Sequence, residues 1–400
     1  ITNLGKQIAL RSYDDELEFL FNNIWYRLVA SWTNVDFNFT NYYDTTEKLD
    51  LILFVVGDSN IYAWNGAVTT FASATTNTIT KQGTTFWTEE GFFASSNRTI
   101  IIGGTEYAYT GGQGTTTLTG VTPDPTGAGY VAGDVIFQKM ITNTNKPASG
   151  LTNDLISTLN NQVYVGSLVT NQIYVSKVND YVTSTQPTPR LVGEGALLTL
   201  DAAPTALVPQ EEFMYISAGK SFWYQTKLAL STDLLNETLS VIRLKSGTQQ
   251  AAQSQSMVEN VKNYVMFITN EPTMDYLGRI ENINTPQNLP LSDSIKTDFD
   301  SYDFTSGHIK FYKNNVYIAL PNQSLLLIYN FQKGFWEPPQ VLPAGRLAII
   351  ADILYLHNNK VPETYKLFDG YNDNAHAIEA VARFSYENYG TRTEKKTFTD

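Results

Sequence analysis

Residues 311–336 read FYKNNVYIALPNQSLLLIYNFQKGFW. The run 316–320 is rich in β-branched and aromatic residues, and 325–331 is a second apolar stretch. Pro321 to Ser324 and Gln332 to Gly334 are turn clusters between them, and Phe335-Trp336 closes the series. Strand, turn, strand, turn and aromatic strand make a small antiparallel meander with two apolar faces. Such a sheet cannot bury both faces by itself, so it needs copies of itself on either side.

The copies are present. The central strand recurs as Val163-Tyr164-Val165, Phe213-Met214-Tyr215-Ile216, Val265-Met266-Phe267-Ile268 and Val316-Tyr317-Ile318. A second strand with an aromatic follows each copy: Ile173-Tyr174, Phe222-Trp223-Tyr224, Tyr276-Leu277 and Ile328-Tyr329. Positions 163, 213, 265 and 316 are spaced by about fifty residues, close to the ~40–50 that four short strands and their turns require. The expected fold is therefore all-β, a propeller of about six to eight blades.

Outward from this core, residues 19–28 match 311–320 as Phe-x-x-Asn-Asn-(Ile/Val)-(Trp/Tyr)-x-x-Leu, with the Asn-Asn pair as a hairpin turn. Strands are expected there, with an amphipathic helix over 14–28 as the alternative. Residues 1–44 then lead into or complete the propeller, which occupies 45–390, and 391–400 leave it. Residues 49–56, 57–60 and 61–64 repeat the strand–turn–aromatic-strand unit, and 99–102 is read as the centre of another. Residues 349–368 form the last unit, and 378–385 alternate like a long strand. The Gly-, Thr- and Pro-rich segment 111–150 breaks the rhythm and is expected to be an insertion in one blade. Within it, 127–135 is read as a pair of glycine turns, because the Gly-Lys-Ser/Thr ending of a phosphate loop is missing. Residues 246–256, SGTQQAAQSQS, are expected to be an exposed connection, and Asp293, Asp298, Asp300 and Asp303 a solvated acidic loop.

The composition narrows function. There are 400 residues with no cysteine, which excludes disulfides and thiolate metal sites. The formal net charge is −12, which argues against wrapping nucleic acid by phosphate neutralisation. No apolar run is long enough to span a membrane as a helix. His308, His357 and His376 fall in different units with no ligand-spaced partner and read as surface or turn residues. Nucleophile-elbow, HExxH and P-loop patterns are missing, and arginines are scattered, so no catalytic, cofactor or metal residues are assigned and no enzyme is expected. Apolar residues inside the insertion exceed what a linker needs. Val121, Tyr130, Val131, Val135, Ile136 and Phe137 are the candidates for contact with a partner. Deleting 118–140 is expected to leave the propeller folded and to abolish assembly.

Residues 314–340, NNVYIALPNQSLLLIYNFQKGFWEPPQ, and 365–390, YKLFDGYNDNAHAIEAVARFSYENYG, resemble the β-propeller tail-hub or nozzle proteins of short-tailed bacteriophages. These are the tail tubular protein B and packaged-DNA stabilisation groups. The Gly-Ala-Gly-Tyr-x-x-Gly-Asp module at 127–134 is similar to insert modules of phage structural proteins. The resemblance implies a virion tail protein assembled in the host cytoplasm. It implies a homo-oligomeric ring, often of six, that meets portal, adaptor and other tail proteins and surrounds a DNA channel. It implies retention of packaged DNA and its passage at ejection, without catalytic residues. The first residue, Ile1, and the open last strand raise the expectation of flanking domains. The acidic balance raises the expectation of an acidic or neutral bore, with the turns near 293–303 facing it. The competing reading is a propeller that binds host glycans or a receptor through 111–150, with a propeller glycosidase behind it.

Overall fold

The computed structural model describes residues 2–3, 6–13, 16–29, 37–143, 152–181, 194–229, 237–243, 250–277, 290–361, 363–367, 372–373 and 376–377. They form a β-propeller with seven successive antiparallel sheets. Blade 1 is Leu10–Tyr13, Glu16–Phe21 and Ile24–Val29. Blade 2 is Asn38–Asp44, Leu49–Val55 and Ile61–Trp64, completed far along the chain by Ile141–Asn143. Blade 3 is Leu155–Leu159, Gln162–Gly166, Gln172–Val175 and Ala196–Thr199. Blade 4 is Pro204–Gln210, Phe213–Ala218, Ser221–Ala229 and Glu237–Arg243. Blade 5 is Val258–Val261, Tyr264–Ile268 and Met274–Leu277. Blade 6 is His308–Tyr312, Asn315–Leu320, Leu325–Asn330 and Phe335–Trp336, with Gln340–Val341 added to its third strand. Blade 7 is Ala344–Ile350, Ile353–Asn358 and Thr364–Lys366.

The four repeats at 163, 213, 265 and 316 all fall in the second strand of their blades, and their aromatic partners in the third. The burial explains the apolar runs. Val316, Ile318 and Leu320 pack into the core shared with blade 5, while Tyr317 and Ala319 pack into the core shared with blade 7. Side chains alternate across a strand, so a strand buried on both faces has no polar position to show. Six such apolar clusters lie between consecutive blades. The six clusters run in series from the blade 1–2 junction to the blade 6–7 junction.

Neighbouring blades also cover one another's inner-strand edges with side chains. Asn161 accepts from Tyr43 N and donates to Tyr43 O. Gln255 does the same to Leu207 at 2.7 and 3.1 Å. His308 Nδ1 accepts from Leu347 N at 3.2 Å. An exposed edge would leave these backbone groups open to foreign strands.

Several expectations are corrected. The helix alternative at 14–28 gives way to strands wherever that segment is described. The match between 19–28 and 311–320 is one residue out of step. Both turns hold two left-handed residues, but these are Asn22-Asn23 in one and Lys313-Asn314 in the other. The flanking pairs Phe21–Ile24 and Tyr312–Asn315 set the register, not the Asn-Asn letters. Residues 99–102 are not the centre of a blade; they belong to the insertion. Residues 250–256 are no exposed connection, since Ala251 and Ala252 are buried and Gln255 is held by Leu207. The expected strand at 378–385 lies outside the described residues.

The insertion begins earlier than the Gly-rich segment. It runs from Val68–Thr75 to Val135–Gln138, between the third and fourth strands of blade 2. Its six-stranded sheet has the spatial order 105–108, 99–102, 135–138, 68–75, 78–81 and 117–119. The two ends then meet. Ala108 exchanges both backbone hydrogen bonds with Thr122, and Gly111 does so with Thr119, so the sheet closes into a small barrel. Gly112 makes this closure possible: it sits at φ 87°, and a Cβ there would lie 2.1 Å from Thr117 O. Phe71, Ile79, Trp87, Phe92, Ile100, Ile102, Tyr107 and Leu118 fill the barrel.

Candidate interaction surface on the inserted barrel

The barrel is docked on the propeller by side chains of both. Phe137 packs on Phe19 at 5.1 Å between ring centroids, within the cluster that holds Trp64 and Phe54 of blade 2. Trp64 Nε1 donates to Gln138 O at 2.8 Å. The Gln138 amide is fully buried; it donates to Asn97 O and Thr99 O and accepts from Phe93 N. A hydrogen-bonded amide in this position fixes the approach of the two bodies as well as their contact.

A second attachment comes from the first hairpin of blade 2. The Glu47 carboxylate accepts from Ala94 N, from Ser95 N and Oγ, and from Ser96 N and Oγ. Desolvation pushes its carboxyl up, but the hydrogen bonds from Ser95, Ser96 and Ala94 together outweigh it and hold it below its ordinary value. Inside the barrel, Lys81 is completely enclosed. Its Nζ meets Glu90 Oε1 at 2.9 Å, Thr85 Oγ1 at 2.9 Å and Gln82 O at 3.3 Å. Burial raises the Glu90 carboxyl, and hydrogen bonds from Thr85, Thr69 and Lys81 more than reverse it. Paired and hydrogen-bonded in this way, the Lys81–Glu90 couple is a structural ion pair with no open face for chemistry.

The outward face of three adjacent barrel strands carries hydroxyls in rows. Cross-strand pairing aligns Thr75, Thr78 and Thr119 in one row and Ser73, Thr80 and Thr117 in the next. Thr75 and Thr78 hydroxyls are 2.7 Å apart, and those of Thr80 and Thr117 are 2.9 Å apart. No Asp, Glu, Lys or Arg occurs between Asp58 and Lys81, nor between Glu106 and Asp124. The face is thus neutral on a chain of net charge −12.

The six contact candidates are divided by the barrel. Val121 and Ile136 lie in its interior. Val135 and Phe137 point to the propeller. Tyr130 plugs the barrel end: its hydroxyl donates to Ile102 O at 2.9 Å and lies 2.9 Å from that of Tyr107. Val131 alone is largely exposed, at 64%. Five of the six therefore act inside the molecule, because a barrel with its own core consumes apolar residues that a loop would offer outward. Apolar content does not mark the hydroxyl face, but the alternation Thr-Ile-Thr at 78–80 and Thr-Leu-Thr at 117–119 reads as strands with one polar side.

Other sequence candidates resolve simply. Gly129 and Gly133 occupy left-handed turns at φ 73° and 105°. Asp293, Asp298 and Asp300 are exposed around the short helix Lys296–Phe299, and Asp303 is held below its ordinary carboxyl range by Thr305 and Asn322. Among the described residues no three His, Asp or Glu side chains are grouped to hold a metal. His308 is neither a surface residue nor a ligand. It is half-buried between blades 6 and 7, and burial, then Arg346 and Lys310, push its pKa down to about 3. No helix among the described residues is long and apolar enough to cross a membrane.

No family model and no curated protein match the chain. Among solved structures, it is similar to the WD40 β-propeller domain of Doa1, with 11% identity over 89% of this chain and 87% of that one and a TM-score of 0.45. It is similar to the computationally designed Ika8 protein, with 11% identity over 90% and 94% of the two chains and a TM-score of 0.44. It is similar to BamB from Moraxella catarrhalis, with 9% identity over 90% and 94% and a TM-score of 0.38.

Proposed function

We propose that this chain is a non-catalytic assembly protein, a subunit of a ring-forming tail hub or nozzle of the kind its sequence resembles. In this reading the inserted barrel carries the contact between subunits. The observation that carries the proposal is the neutral hydroxyl face on a closed barrel. Copies bearing a net charge of −12 repel one another, and a face without charge is where two can approach most closely. Threonine is stiff at χ1, so ordering its side chain on contact costs little entropy. The closed sheet leaves no long free edge, so contact is made face-on. Packaged DNA passes the ring without specific binding, along a bore that is acidic or neutral.

Excising 118–140 is a poor test, because it removes Leu118, Val121, Ile136 and Phe137 from two cores. Charging the face is cleaner. Sedimentation velocity and negative-stain imaging of the wild type should reveal rings. The double variant Thr80→Lys, Thr117→Lys should melt as the wild type does and remain monomeric. A wild type that is monomeric at all protein and salt concentrations sinks the assembly reading. Rings that persist in the double variant sink the role of the face alone.

A further inference from the structure

A cleft of about 450 Å³ opens between blades 6 and 7, remote from the barrel in sequence. Two hairpins form its lips. Tyr312 and Lys313 belong to the first hairpin of blade 6, and Asp352 and Ile353 to the matching hairpin of blade 7. Tyr312 OH donates to Asp352 O at 2.8 Å, which ties one lip to the other and holds the opening at a set width. Glu337, beside the outer strand of blade 6, makes the third wall. Ile328, Ile353 and Leu367 supply apolar lining. The site stands on blade strands and two-residue turns, so it is preformed.

The polar groups are of both kinds. Lys313 Nζ and the Asn315 amide donate, and the Glu337 and Asp352 carboxylates accept. Asn315 Nδ2 donates to Tyr317 OH at 3.2 Å and positions that phenol at the cleft. Burial raises the Tyr317 phenol; Asn315 and Lys313 lower it and Glu337 and Tyr312 raise it. Lys313 Nζ lies 4.9 Å from the centre of the Tyr312 ring, so the cation seat over that ring is already taken. One ammonium against two carboxylates leaves the cleft unfavourable to anions.

We propose that this cleft binds a neutral saccharide of one or two sugar units. Sugar hydroxyls both donate and accept, which suits interleaved carboxylates, ammonium and amide. The C–H face of the ring lies against Ile353 and Leu367, which are part-exposed above the buried Ile328. The volume is within the usual ~300–1,000 Å³ of small-ligand sites. The proposal does not depend on the assembly reading.

The test uses the full chain in saturation-transfer NMR and isothermal titration calorimetry. Probes are glucose, galactose, mannose, N-acetylglucosamine and disaccharides of these, with inorganic phosphate and 1,4-diaminobutane as separate arms. At least one neutral sugar should bind and phosphate should not. The double variant Glu337→Gln, Asp352→Asn should weaken that sugar roughly tenfold or more through loss of charge-assisted hydrogen bonds. Its melting temperature should be unchanged, since Asp352 is exposed and Glu337 only half-buried. Absence of any sugar binding, binding of the diamine alone, or equal sugar affinity in the variant would each overturn the proposal.

Discussion

Glu47 is one side chain that spans two bodies. It leaves a blade 2 hairpin and is gripped by three successive residues at the edge of the barrel, Ala94 to Ser96. Glu47→Ala should cost about 1 kcal/mol after solvent screening, and should speed hydrogen exchange at the amides of 94–96. Unchanged exchange there would deny the latch. The sign with pH follows from a carboxyl held below its ordinary value. Its contribution is complete above the unfolded pKa, 4.5, and is lost as pH falls through the lower folded one. A second residue-scale case is Ala351, held at φ 49° in the blade 7 hairpin, where a Cβ is strained. Ala351→Gly should stabilise by about 0.5 kcal/mol, the relief being partly offset by the looser unfolded chain. Chemical denaturation measures it, and a loss of stability would contradict it.

At the scale of elements, the strand Val135–Gln138 serves both bodies. Ile136 faces the barrel core, and Phe137, on the other side, faces Phe19 and the blade 1–2 core. Phe137→Ala should therefore destabilise by about 3 kcal/mol through the lost burial and the cavity left behind. Because the cavity opens at the junction, protease should cut near 64–68 and 138–141 faster in the variant. A drop in stability with no change at those two connections would mean that Phe137 stabilises the fold without holding the barrel in place.

At the scale of the whole molecule, blade-to-blade contacts contribute to the response to acid. His308 sits between two blades with a pKa pushed down to about 3 from 6.5, and accepts a hydrogen bond from Leu347 N. Above pH 6.5 both folded and unfolded states are neutral and the residue adds no pH dependence. Between 6.5 and about 3 the unfolded chain takes up a proton that the folded one refuses, so stability falls as pH falls. His357 is depressed in the same direction, mainly by burial and then by Arg11, so a residual slope remains after His308 is replaced. His308→Gln should lose less melting temperature between pH 8 and pH 5 than the wild type. Equal slopes would show that His308 stays free to take up a proton in the folded protein.

The radial repeat was legible in the sequence because a blade's second strand is buried on both faces. Val163, Phe213, Val265 and Val316 therefore open apolar runs with no polar alternation. Turn letters located the hairpins to within a residue, but not their register, which the flanking hydrogen-bonded pairs decided. The barrel was hidden for the opposite reason. Its strands are short and half-polar, and its closure joins 108–111 to 119–122 around a sheet whose neighbours lie up to about seventy residues apart. No local pattern records such a pairing. The same holds for Phe137, His308 and the cleft at Glu337. Whether an apolar residue is offered to a partner or consumed inside, and whether a histidine meets water or a backbone amide, depends on which distant strands the ring brings alongside. Residue type sets what a side chain is able to do, and only the packed ring decides what surrounds it.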